Sequence, residues 1–522
     1  MKRTMISLFL ISSIFVLSSC QSVLQKDSNT DLPSVSFPDT VISYNAPVGN
    51  IHTEQKTKVS LYLPNKERTK LISVPQEILL PINRHGAETA LKALLAHPGD
   101  ERVSPLSPDH ILSLSYYLAV EISRDVATVN LTQSALALSS NEFFIVSQAI
   151  TNTLSSFIDI SYVNVLVSSK AMGLDSVDSL PMGTLQERTE SDLISLWEQI
   201  ESRKVYQNES AKEKRLSLPV TLYFPLQSGI GIIPEVRNIA FSGQTNQQYV
   251  STLLTELSKS SDYLESATTM PDLTSHLTKE PEIVSIENES GRKVVLNFSE
   301  TLYKAIMDTN NLLSTTIAAI NYTLTTFLPN ISGVEVYIDS QLITNLNPQS
   351  PYISSGELSF QDGLQKRSNF TDFLLGYIEL YFPAQKSPNL IKVMRPVPYF
   401  ETKNPSYILH QLIIGPKYYD HRSDTRSFFH QELSFSQGDI RGISYENRSL
   451  LVHFSSAFYS QIEQYLLPED ESLFVYGMVN TLCNNPAIDS VCFFIDNKQP
   501  DSFLGTIYLP GIFFPNPGLV NK

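Results

Sequence analysis

Apolar and mixed positions alternate in three short runs: Val59-Ser60-Leu61-Tyr62-Leu63-Pro64, Val220-Thr221-Leu222-Tyr223-Phe224-Pro225 and Ile378-Glu379-Leu380-Tyr381-Phe382-Pro383. A period of two predicts strands, and each run stops at a proline, which has no N–H for a ladder. The runs lie about 160 residues apart, the self-similarity expected of tandem units. The segments after each run recur as well. A second extended segment is predicted over 71–80, 232–241 and 390–400. A helix is predicted over 87–96, 247–257 and 405–414, with Leu91/Leu94/Leu95 and Leu409/Leu412/Ile413 at i, i+3, i+4 spacing. Hairpins come next, at 114–122 with 126–131, at 283–287 with 294–298 and at 440–445 with 450–454. Their turns are Arg124-Asp125, Glu289-Ser290-Gly291 and Glu446-Asn447-Arg448.

A second helix closes each copy on a Thr-Leu pair, Thr153-Leu154, Thr323-Leu324 and Thr481-Leu482. Its apolar stripe runs through Val146/Ile150, Leu313/Ile317/Ile320 and Val475/Met478, which reads as core rather than as cofactor contact. A last strand, 163–167, 334–338 and 491–495, is apolar at its first, third and fifth positions, so one face is packed and the other partly wet. The order is β-β-α-β-β-α-β. It predicts an α+β chain of three tandem small α/β sandwich domains, each with two helices on one face of a mixed sheet. The expected boundaries are 58–172, 216–346 and 375–522. Residues 173–215 form a linker with a helix around Leu193, Trp197 and Ile200, and 347–374 form a second linker. Beads on semi-rigid spacers is the picture.

The N-terminus sets the compartment. Lys2 and Arg3 precede a largely apolar run from Met5 to Leu17, too short to span a bilayer comfortably. The run ends in Leu17-Ser18-Ser19-Cys20, which is similar to the bacterial lipobox, whose cysteine is lipidated and becomes the first mature residue. Residues 1–19 are therefore expected to be a lipoprotein signal peptide and Cys20 the membrane anchor. Residues 20–57, rich in Ser, Asp, Pro, Thr and Asn, read as a disordered tether spanning on the order of 35 Å.

Composition narrows the function classes. The 53 acidic residues outnumber the 38 basic ones, for a net charge of −15, which argues against a nucleic-acid partner. Three cysteines exclude a disulfide framework and a Cys-based zinc module. His-Glu-x-x-His, Gly-x-Ser-x-Gly and phosphate-cradling glycine loops are absent, so no catalytic residue, metal site or cofactor is expected. The densest polar cluster, Asp420-His421-Arg422 with Asp424, Arg426 and His430, is read as a solvated loop because its arginines would repel a cation. Cys483 and Cys492 could pair in an oxidising compartment, but two free, partly buried thiols are the preferred reading. Glu469-Asp470-Glu471 is read as a helix start, where acid complements the dipole. Arg237 and Arg395 stand at the same offset from their prolines, where the first copy has Gln76. They are the candidates for an interaction or structural role, with a strand-edge ion pair inside each domain the favoured one.

Residues 220–341 resemble the GerM domain through Leu222-Tyr223-Phe224-Pro225, Pro234-Glu235-Val236-Arg237, Val295-Leu296-Asn297-Phe298-Ser299 and the closing Thr-Leu helix. Residues 59–169 look like a second copy, with Ala93-Leu94-Leu95-Ala96-His97-Pro98 and Val129-Asn130-Leu131-Thr132. Residues 378–497 look like a more diverged third, with Gly415-Pro416 and Val452-His453-Phe454-Ser455. The resemblance implies an envelope lipoprotein, some members being linked to sporulation and germination, and a domain similar to the ring-building modules of secretion-type assemblies. Three copies rather than one or two depart from the usual pattern. The expectation is a non-enzymatic, extracytoplasmic scaffold, anchored to the membrane through its lipid, whose partners are envelope proteins or further copies of itself. The alternative is a solute-binding lipoprotein or a peptidoglycan-related envelope hydrolase with a site at a domain junction.

Overall fold

Each alternating run forms one arm of an antiparallel two-stranded ribbon. The pairs are Glu54–Pro64 with Leu71–Pro81, Leu216–Pro225 with Ile232–Phe241, and Leu375–Pro383 with Leu390–Pro398. The computed structural model describes residues 49–51, 54–107, 111–116, 118–174, 180–188, 192–203, 216–226, 229–241, 245–259, 261, 269–287, 289–353, 356–420 and 423–521. Cys20, and most of the expected tether, lie outside them. The tether ends sooner than expected, because 49–51 and 54–57 are already strand. Glu54-Gln55-Lys56-Thr57-Lys58 is polar on both faces and so shows no period, but pairing with the arm 71–81, including the Lys56–Glu77 ion pair across the ribbon, extends it.

The rest of each copy keeps the predicted order. The first helices are Ala87–Ala96, Asn246–Leu257 and Pro405–Ile413. The second is capped by a Thr245/Gln248 box and the third by Asn404 ahead of Pro405. The hairpins are Val120–Ser123 with Val126–Leu131, Glu282–Ser285 with Arg292–Phe298, and Ile440–Glu446 with Ser449–Phe454. The closing helices are Ser140–Leu154, Leu313–Phe327 and Glu471–Leu482. In every copy the second hairpin strand pairs in parallel with the last strand, Tyr162–Val167, Ile331–Ile338 or Ser490–Ile495, and the closing helix makes the crossover between them. The chain is thus three tandem α+β copies.

The layering is finer than one sheet with helices on one face. The ribbon is a sheet of its own, and the closing helix lies between it and the mixed sheet. That explains its unbroken burial, from Phe143 to Leu154 in the first copy and from Ser314 to Phe327 in the second. A helix covered on all sides must satisfy its polar groups internally. One of those groups ties the two layers together. The Thr of each Thr-Leu pair accepts a hydrogen bond from the backbone N–H of the tyrosine in each alternating run. The N···O distances are Tyr62 to Thr153 Oγ1 2.9 Å, Tyr223 to Thr323 Oγ1 3.1 Å and Tyr381 to Thr481 Oγ1 3.2 Å.

The spacers are packed rather than exposed. The expected helix, Leu193–Glu201, buries Leu193, Leu196 and Ile200, and Trp197 meets Phe144 of the first copy at 5.8 Å. An asparagine near the Thr-Leu pair fixes the chain that leaves each copy: Asn152 Nδ2 donates to the Arg188 carbonyl at 3.0 Å, Asn321 Nδ2 to that of Gln365, and Asn480 Nδ2 to that of Asn516 at 3.3 Å. One apolar core runs from Val59 through both first copies to Leu374, and a second fills the third copy. The described residues form one compact unit, so welded copies replace the bead picture.

Thr323→Val keeps the shape but strands the Tyr223 N–H. Denaturant unfolding should report a loss of about 1–3 kcal/mol, with Thr323→Ser close to the parent. Equal stability of all three proteins would show that the hydroxyl does not hold the layers together.

Candidate functional site

Arg237 and Arg395 occupy the same ribbon position, opposite Val220 and Ile378. Each guanidinium lies over the phenylalanine of its own motif, Arg237 4.8 Å from Phe224 and Arg395 5.4 Å from Phe382. The first copy has Leu63 and Gln76 at these places and lacks both halves of the contact. Arg237 Nε donates to Glu235 Oε1 at 2.6 Å, and the Ser261 hydroxyl donates to the same carboxylate. Arg395 is fully buried. Its Nε and Nη2 grip the two Asp420 oxygens at 2.8 and 2.6 Å, and its remaining donors reach Gln411 and the Gly415 carbonyl. Among the described residues, both arginines donate within their own copy.

The polar cluster around Asp420 dissolves in the same way. Asp420 belongs to Arg395, and Arg426 makes a two-pronged pair with Asp470 at 2.8 and 2.6 Å. The His430 ring lies against Tyr465; His421 and Arg422 are outside the described residues. No group of three or more His, Cys, Asp or Glu among the described residues is placed to hold a metal ion. Cys483 and Cys492 are free thiols; burial pushes them up to about 12 and about 11, so neither is a ready nucleophile at neutral pH. Glu471, first residue of its helix, is more than a favourable charge. Its carboxylate accepts the backbone N–H groups of Phe503, Leu504 and Thr506 at 2.8, 2.9 and 2.7 Å and clamps the C-terminal segment.

The most concentrated chemistry lies where the copies meet, and none of its charged residues was singled out in the sequence. Arg367, from the 347–374 linker, is 1% exposed and pairs with Glu121 of the first copy, at 2% exposure. Its Nε is 2.8 Å and its Nη2 2.6 Å from Glu121 Oε2, and Nη1 donates to Thr326 Oγ1 at 2.6 Å. Tyr322 of the second copy donates its hydroxyl to Glu121 Oε1 at 2.9 Å, and its ring lies 3.9 Å from the guanidinium carbon. Burial opposes the charged form of Arg367, but Glu121 and the tyrosines Tyr223 and Tyr322 hold it above the ordinary arginine value. Burial, then Glu121, pushes the Tyr322 phenol well up. The cluster is a hydrogen-bonded staple through the first two copies and the linker.

Further ties flank it. Asn164, Thr184 and Thr221 bond to one another within 2.8–3.0 Å between the first two copies. The Ser123 hydroxyl donates to the Leu375 carbonyl, and Asp159 of the first copy bridges His85 at 3.1 Å and Lys403 of the third at 3.2 Å. A cleft of about 340 Å³ opens beside the staple, with Ser168, Ser169, Ser332 and Ser368 on its walls. Its lysines are engaged, Lys170 with the Ser290 carbonyl and Lys366 with Glu289. The arrangement holds copies together; it sets no nucleophile beside a base.

Comparison with known proteins adds an independent reading. The family described as Germane, sporulation and spore germination, matches residues 60–172, 221–344 and 379–501, one match for each copy. Among solved structures, the tandem GerMN domains of the sporulation protein GerM from Bacillus subtilis align at 15% identity with a TM-score of 0.21, covering 58% of this chain and all of that one. A putative lipoprotein from Clostridium perfringens aligns at 17% identity with a TM-score of 0.17, covering 27% of this chain and 92% of its own. No curated protein matches.

Removing one member of the staple leaves a buried charge behind, so Glu121→Leu and Arg367→Met should each cost about 3–5 kcal/mol in denaturant unfolding. The double variant should cost well under the sum; full additivity would mean that the two groups are not coupled. At Glu471, burial raises the carboxyl, but the Thr506 hydroxyl and the three N–H groups outweigh it and hold the value below the ordinary glutamate range. A depressed folded value gives stability that is present above the unfolded value and lost as pH falls through the folded one. Protease nicking of 500–521 should therefore increase on acidification below about pH 4, and Glu471→Gln should show it already at neutral pH.

Proposed function

The chain belongs to the Germane family, sporulation and spore germination, and on that premise we propose that it is a non-enzymatic scaffold of the bacterial envelope, held to a membrane by lipid on Cys20. The observation that carries this reading is the destination of the buried charges. Arg367 and Glu121 are consumed in joining copies and Arg395 and Asp420 in bracing the third copy from within, each paired with its opposite charge rather than set as an acid, base or nucleophile. A rigid body of three repeated modules offers surfaces at fixed distances, which suits assembly. The acidic balance supports the lipid as sole anchor, because like charge holds the body off anionic headgroups. No helix among the described residues is long and apolar enough to cross a membrane.

Metabolic labelling with a fatty acid should mark the parent chain, whereas Cys20→Ala should accumulate as unlabelled precursor; equal labelling of both would refute the anchor. In intact cells, crosslinking should join the lipidated chain to envelope proteins or to further copies of itself. Cleavage of isolated peptidoglycan by the purified chain would overturn the non-enzymatic reading.

A further inference from the structure

The three copies share a first hairpin strand, and each treats its outer edge differently. In the third copy residues 49–51 lie parallel to Ile440–Glu446, with Gly49 opposite Gly442 and Ile51 opposite Ser444, so that edge is filled by another part of the chain. In the first copy Val120–Ser123 packs against the third, through Ser123 to Leu375 and through residues 399–401. In the second copy Glu282–Ser285 ends its sheet. No strand among the described residues pairs with its outer side, and all four residues are exposed or half-buried. An open edge presents backbone donors and acceptors that template a further strand.

Charge selects what that strand is. Glu280, Glu282 and Glu287 are exposed around the edge and make no ion pair among the described residues; Lys279 is the basic neighbour on the same stretch. Between the acids, Ile283 and Val284 offer apolar contact, Val284 at 39% exposure. A second copy fits poorly, because antiparallel self-pairing centred between Ile283 and Val284 sets Glu280 against Glu287. The chain's own strand donor fits no better, since Asn45-Ala46-Pro47-Val48-Gly49-Asn50-Ile51 carries no basic residue. We propose that Glu282–Ser285 is a docking edge for an extended segment of another protein in which Lys or Arg alternates with β-branched residues. The proposal rests on the scaffold reading and gives its partner a chemistry.

The test uses the purified chain and three blocked, fluorescently tagged octapeptides: alternating Lys-Val, alternating Lys-Pro and alternating Glu-Val. Lys-Pro keeps the charge, but proline fixes φ at about −65° and holds the peptide in a polyproline II form that does not fit the ladder, whereas Glu-Val keeps the ladder but reverses the charge. Lys-Val should bind, the other two should not, and the exposed substitutions Glu282→Lys with Glu287→Lys should weaken Lys-Val roughly tenfold or more while leaving the melt unchanged. Equal binding of Lys-Val and Lys-Pro, or binding indifferent to the substitutions, would overturn the proposal. So would a dimer of the parent chain that the same substitutions dissolve, which would give the edge to a second copy. In intact cells, partners captured equally by parent and variant would sink the docking edge alone, whereas a parent that captures none would sink the scaffold reading beneath it.

Discussion

A backbone N–H that cannot be left unpaired organises this chain. The ribbon arm carrying the motif tyrosine has a partner on one side only, and its other side faces the closing helix, away from water. An unpaired N–H there would cost about 1–3 kcal/mol. Helix carbonyls point along the helix axis rather than sideways at a neighbouring strand, so a side chain must supply the acceptor. Threonine is well suited: its hydroxyl accepts, its methyl packs, and its β-branching limits the rotamers that would swing the oxygen away. Tyr62–Thr153, Tyr223–Thr323 and Tyr381–Thr481 show the same solution at 2.9, 3.1 and 3.2 Å. The alternating run and the Thr-Leu pair recur together because they are two halves of one contact.

Fixing the closing helix fixes what comes after it. Asn152, Asn321 and Asn480 each take up the departing chain, and the second of these draws in the segment that carries Arg367. Arg367 then finds Glu121, 246 residues away. A buried ion pair is weak evidence for net stability, since an apolar replacement of similar volume often does as well. Its use here is register. Three similar copies with similar apolar faces have several ways to stack, and a charge pair that is costly to bury unless Glu121, Tyr322, Thr326 and Arg367 all coincide penalises every other arrangement.

This difference in reach separates what was legible in the sequence from what was not. The strands and helices could be read because period two and period 3.6 are local properties, and repetition at matching positions turned weak signals into an ordered set. The Arg237 and Arg395 contacts were within reach for the same reason, a fixed offset from a proline. Arg367 lies in a linker with no counterpart in the other copies, and Glu121, although its strand recurs with Glu282 at the matching register, meets Arg367 only in the assembled body, so no repeat marked the pair. The return turns after each last strand carry little sequence signal. Ser168-Ser169, Asp339-Ser340 and Asp496-Asn497 all have positive φ at both residues, but none holds the glycine that commonly marks a two-residue hairpin. The polar arm 54–58 was missed because its order comes from the opposite strand.

Tandem repetition also multiplies liabilities. A module whose sheet ends in a hairpin has an open edge, and three modules have three, on a chain already rich in β-branched and aromatic residues. Welding the copies removes the first edge by packing, and threading 49–51 onto the third removes another. The second copy sits in the middle of the sequence, yet among the described residues no strand pairs with the outer side of its hairpin. Lys279 and Pro281 blunt the start of this edge, but beyond them Glu282–Ser285 has Ile283 and Val284 at its centre, with Glu280, Glu282 and Glu287 around them. Acidic flanks repel another copy of the same edge and leave a basic strand unopposed. An edge guarded against itself but open to the opposite charge is selective rather than merely protected.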